Sequence, residues 1–78
     1  MKATTVTAVA EGADALRRAT PAQVSSYQRL RARCSIRGTI LLSDDTLQVG
    51  FETSRGRDRE AVIATDGTRL STYDTWGH

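Results

Sequence analysis

Hydrophobic and polar positions change period twice along this chain, and the changes mark its elements. Residues 3–9, Ala-Thr-Thr-Val-Thr-Ala-Val, are rich in β-branched side chains and predict a strand. Glu11-Gly12 breaks it. Asp14 then opens a short helical stretch over 15–19, with its carboxylate at the positive end of the dipole. Thr20-Pro21-Ala22-Gln23 has the form of a capping box. The Thr20 hydroxyl can accept from the Gln23 N–H, the Gln23 side chain can reach back to the Thr20 N–H, and Pro21 loses nothing at the first helical position. A helix from 21 to about 33 follows, with Val24, Tyr27, Leu30 and Cys34 at helical spacing on its inner face. Arg29, Arg31 and Arg33 fall on its outer side.

From Ile36 the period becomes two. Ile36, Gly38, Ile40 and Leu42 alternate with Arg37, Thr39 and Leu41, and beyond Asp44-Asp45 so do Leu47, Val49 and Phe51 with Gln48, Gly50 and Glu52. A two-residue turn at Asp44-Asp45 predicts the pairs Leu42–Leu47, Ile40–Val49 and Gly38–Phe51, with the ring lying across the glycine. Ser54 to Asp58 reads as a loop and residues 59–65 as a further strand. Asp66-Gly67 predicts a type I′ hairpin that pairs Ile63 with Leu70, Ala61 with Thr72, and Arg59 with Asp74 as a cross-strand ion pair. The expected fold is α+β: an N-terminal strand and helix packed on a four- to five-stranded, mostly antiparallel sheet, in one domain over residues 1–78.

Composition narrows the function. At 78 residues the chain has room for one modest core and no deep substrate cavity. The net charge of +2 is small, but its layout is uneven. Residues 1–43 carry seven Lys and Arg against two acids, a net of +5, and residues 44–78 carry four against seven, a net of −3. A basic helical part and an acidic sheet part are expected. Cys34 is the one cysteine, so no internal disulfide can form and a cytoplasmic, reducing setting is expected. The stretch from Met1 to Ala10 has the outline of a leader, but Thr4, Thr5 and Thr7 make it too short and polar for a secretory signal. No run approaches the ~18 apolar residues that a membrane span needs.

Candidate chemistry is sparse. One Cys and one His, the latter at the last position, cannot assemble a metal site or a nucleophile with its base. Asp44 and Asp45 are adjacent turn residues whose side chains diverge. No enzyme activity, cofactor or small-molecule substrate is expected. The arginines carry the functional promise. Arg29, Arg31 and Arg33 could continue through Arg37 as one patch, and Arg55, Arg57 and Arg59 form a second. A guanidinium fork bonds phosphate or carboxylate bidentately, although a plain solvated face is the alternative. Tyr27 and Phe51 read as core, while Trp76 near the C-terminus could anchor an interface. The expected partner-binding residues are Arg29, Arg31, Arg33, Arg55, Arg57 and Trp76.

Two resemblances bear on this. Ile36 to Ile40 followed by Leu47 to Phe51, after a strand and a helix, resembles the small flavin-storing dodecins over roughly residues 3–53. That hairpin is shorter than theirs, it lacks their flavin-stacking Trp, and two more strands follow it, so flavin storage is set aside. Ala15-Leu16-Arg17-Arg18-Ala19, Gly38 to Leu42, Asp66-Gly67 and a late Trp76 resemble, in their order, the segments of some small phage-encoded anti-CRISPR proteins of type I systems. The resemblance implies a protein inhibitor that docks on an RNA-guided surveillance complex and blocks target DNA binding. A small arginine-rich nucleic-acid-binding or regulatory protein is the alternative, so direct nucleic-acid contact stays open.

Overall fold

Three hairpin loops of one design set the register of the sheet. In each, a turn closed between residues i and i+3 is followed by one residue in the left-handed region, which makes a three-residue loop. Asp45 N–H donates to Leu42 O, Gly56 N–H to Thr53 O and Gly67 N–H to Ala64 O, and φ is +70°, +81° and +87° at Asp45, Gly56 and Gly67. Asp tolerates this conformation better than most residues with a side chain, and Gly adopts it freely. The first residue of every loop is Ser or Thr: Ser43, Ser54 and Thr65.

The computed structural model describes residues 6–74. Strand β1 (Ala8–Glu11) leads into helix α1 (Gly12–Arg18) and helix α2 (Pro21–Arg31), and then into strands β2 (Ser35–Leu42), β3 (Leu47–Glu52), β4 (Asp58–Ile63) and β5 (Arg69–Asp74). The five strands form one sheet in chain order, and every neighbouring pair is antiparallel. This is the expected α+β class. The N-terminal strand starts at Ala8 and runs on to Glu11, beyond the expected 9, and it breaks at Gly12, which at φ +58° starts α1 directly. Residues 3–5 of the expected strand lie outside the described residues.

The three-residue loops shift the expected pairings by one. Leu47 faces Leu41, Val49 faces Thr39 and Gly50 faces Gly38. Thr39 and Leu41 therefore enter the core, while Ile40 and Leu42 move to the face away from the helices. An irregularity at Arg37 restores the alternation and sets Ile36, not Gly38, against Phe51. At the last hairpin Ile63 pairs with Arg69, and an irregularity at Leu70 brings Ala61–Thr72 and Arg59–Asp74 into their expected register.

One face of the sheet is buried under the helices. Leu41, Leu47, Val49, Phe51, Ala61 and Ile63 meet Ala15 of α1 and Leu30 of α2. Of the expected inner line of α2, Leu30 is in the core and Tyr27 and Cys34 pack against it, and Gln23 and Ser26 join them. Gln23, Ser26 and Leu30 are buried, whereas Val24 and Tyr27 are half-buried.

Gln23, at 1% exposure, is buried through its hydrogen bonds. Its side-chain oxygen accepts from the Thr20 N–H (2.9 Å), and its amide donates to Asp45 O (2.8 Å) and Ile63 O (3.1 Å). The capping box is complete, with Thr20 Oγ1 accepting from the Gln23 N–H and donating to Thr65 O. The N-terminus of α2 is thereby tied to the β2–β3 and β4–β5 loops together. Gly67 packs under it so closely that a Cβ there would lie 2.8 Å from Ala22 O.

The loop aspartates also hold their turns. Asp44 accepts from Thr46 Oγ1 and N–H, and Asp66 accepts from Thr68 N–H. The Thr46 hydroxyl bond, with the Thr46 N–H, keeps the Asp44 carboxyl below its ordinary range, and the Thr68 N–H does the same for Asp66.

Three outcomes follow. Gln23→Ala strands two carbonyls and one N–H, and should cost about 2–3 kcal/mol in urea unfolding, against less than about 0.5 for the exposed Gln28→Ala. Gly67→Ala should cost about 1–3 kcal/mol, because it meets both a positive φ and the Ala22 backbone, whereas Gly38→Ala has open space around it. Depressed carboxyl values contribute stability above the unfolded value, and that contribution is lost as pH falls through the folded one. Asp44→Ala with Asp66→Ala should therefore lower the urea midpoint at pH about 7, and the gap from the parent should close below about pH 4.

Candidate functional site

Helix α2 ends where its last carbonyls find short-range donors. The Ala32 N–H reaches Gln28 O and Leu30 O, and the Arg33 and Cys34 N–H groups both donate to Leu30 O. Arg29, Arg31 and Arg33 crowd this negative end of the helix dipole, a favourable place for cations. Because α2 crosses the sheet from the Asp45/Thr65 end, its C-terminus comes down beside the opposite loop, between β3 and β4.

The two segments share one surface of three adjoining depressions. One, of about 250 Å³, lies between Arg31–Ser35 and Glu52–Ser54. The next, of about 330 Å³, is floored by Leu30, Cys34 and Phe51 and rimmed by Arg33, Arg59 and Arg69. The third, of about 510 Å³, lies among Arg55, Arg57 and Arg59. Thr53 and Ser54 line all three, so the helix arginines and the loop arginines belong to one continuous surface. Among the described side chains lining it, Glu52 is the one carboxylate, and Arg37 holds it by an ion pair. Arg59 Nε is buried and, among the described residues, is the one buried side-chain nitrogen or oxygen without a hydrogen-bond partner.

The arginines expected as contacts divide as follows. Arg31, Arg33, Arg55 and Arg57 come together on this surface. Arg29 is exposed on α2 but lines none of the depressions. Arg37 does not extend the helix patch. It lies beside Gly50 on the sheet face away from the helices, bound to Glu52 and 3.9 Å from Asp58. Trp76 lies outside the described residues, as does His78. Arg59 and Asp74 are register partners, as expected.

Arg69 and the Thr53 and Ser54 hydroxyls were not singled out from the sequence. The parity that sends Ala61 and Ile63 inward also sends Arg59 toward the helix side, and that signal was readable. Arg69 reaches the same side only through the irregularity at Leu70, which no residue pattern announces.

The acids Asp44, Asp45 and Asp66 sit on the loops at the N-terminal end of α2. The other acids of the 44–78 half, Glu52, Asp58, Glu60 and Asp74, sit on strands β3 to β5. No group of three or more potential metal ligands occurs among the described residues, and no described helix is long and apolar enough to cross a membrane. Comparison with protein-family models, curated proteins and solved structures gives no match for this chain.

Proposed function

We propose that this chain is a non-enzymatic inhibitor that works in the cytoplasm by docking its arginine-bearing end on an anionic surface of a type I RNA-guided surveillance complex, so that target DNA cannot bind. The observation that carries the reading is the meeting of Arg31, Arg33, Arg55 and Arg57 around Thr53 and Ser54. Arg31, Arg33 and Arg55 are exposed there, and their guanidiniums suit multivalent ionic contact. The class of partner comes from the resemblance in segment order to small anti-CRISPR proteins. The acidic loops at the far end add a second charged surface, able to repel or imitate DNA once the basic end is seated.

The test is co-purification with a type I surveillance complex, followed by a target-DNA binding assay. The parent chain should co-purify and suppress DNA binding. Arg33→Glu, Arg55→Glu and Arg57→Glu combined should weaken docking by about tenfold or more, mainly through slower association. Arg17→Glu, at a residue already paired with Asp14 away from this surface, should leave docking unchanged. No co-purification, or equal docking by the triple variant, would overturn the reading.

A further inference from the structure

We infer that the middle depression of the arginine surface is a phosphate site, and that its ligand is the backbone of a nucleic-acid strand. This rests on the proposal that the arginine-bearing end is the docking surface, and it names the chemistry that the end meets.

Arg33, Arg59 and Arg69 line the depression from three different segments: the turn after α2, β4 and β5. No carboxylate lines that depression among the described side chains. Arg33, Arg59 and Arg69 bring three positive charges to the lining of one depression, and an anion among them would be held by all three. Arg59 adds a second indication, because its Nε is buried without an acceptor, and a buried unpaired donor is costly until one arrives.

The donor set selects phosphate over carboxylate. Each guanidinium offers five N–H donors in a planar fork, and the Thr53 and Ser54 hydroxyls line the same depression. A carboxylate presents two oxygens in one plane, which suits a single fork. A phosphate presents its oxygens tetrahedrally, so forks arriving from three directions can each find one.

The surroundings select a strand over a single free anion. The depression shares Thr53 and Ser54 both with the one lined by Arg31 and with the one lined by Arg55 and Arg57. Further cations on the adjoining depressions can meet the neighbouring phosphates of a chain, which a single free anion does not have. The aromatic on the floor, Phe51, is 4% exposed and offers no face for stacking a base, so recognition is of the backbone and independent of sequence.

The experiment has two arms on the full chain. In the first, amide spectra are followed during titration with inorganic phosphate, with sodium chloride at matched ionic strength as the reference. Phosphate should shift the amides of Arg33, Thr53 and Ser54 where chloride does not, and Arg33→Gln should abolish the shift. In the second, anisotropy of a labelled single-stranded oligonucleotide about twelve nucleotides long is read at several salt concentrations. The strand should bind at least about a hundredfold more tightly than inorganic phosphate. The slope of log affinity against log salt should fall by about 1 in Arg33→Gln and again in Arg59→Gln. Arg33 is exposed at the helix end, so its variant remains informative if Arg59→Gln proves unstable.

Absence of a phosphate-specific shift, with oligonucleotide binding equal in parent and variants, overturns the inference. A phosphate shift without tighter strand binding overturns the strand assignment and leaves only a free-anion site. If both arms fail while the Arg55 and Arg57 reversals still weaken docking on the surveillance complex, the inference falls and the proposed function stands.

Discussion

Everything that distinguishes this surface depends on one side chain that satisfies three backbone groups. Gln23 caps its own helix and binds the ends of two hairpins, so it fixes where α2 starts and how it is rotated. A buried amide with these partners is costly to displace, because each group it leaves would be stranded away from water. Once the N-terminus of α2 is held at the Asp45/Thr65 end, a helix of 11 residues can only finish at the other end of the sheet. Its terminal arginines then meet the β3–β4 loop. The basic surface is thus a consequence of helix length and a single anchor, not of arginine clustering in the sequence.

The same geometry separates the charges. Acids on the β2–β3 and β4–β5 loops complement the positive end of the α2 dipole, and arginines complement the negative end. Both placements are locally favourable for the helix. A domain this small has little stability in reserve. Arg31, Arg33 and Arg55 stand exposed together at one end of it. That arrangement is easier to understand as a docking surface than as a stabilising one, since a partner's negative charge can meet all three.

Much of the fold was legible in local chemistry. Thr20, Pro21 and Gln23 announced the start of α2 with a reciprocal hydrogen-bond pattern that needs only three residues of context. The alternation from Ile36 to Phe51 announced a hairpin. Its register was not legible, because Asp44-Asp45 suits a two-residue turn and Ser43-Asp44-Asp45 suits a three-residue loop with Asp45 left-handed. One residue in that choice moves Thr39 and Leu41 inward and Ile40 and Leu42 outward. The inner face of α2 was legible in Tyr27, Leu30 and Cys34 but not in Gln23 and Ser26. Periodicity weighs apolar residues, and it gave Gln23 and Ser26 no credit for burial earned through hydrogen bonds. At the site, two arginine groups were visible as runs, but their union was not. It required the crossing of α2 over the sheet, which is tertiary information.

The central claim is that the C-terminal turn of α2 and the β3–β4 hairpin form one surface. Nuclear Overhauser contacts on the labelled protein test it most directly. The account predicts contacts between the Leu30 methyls and the Phe51 ring, and between Cys34 and the side chains of Thr53 and Ser54. If Leu30 and Cys34 instead showed contacts only to the Asp45 and Thr65 end of the sheet, the surface would not exist and the account would be contradicted.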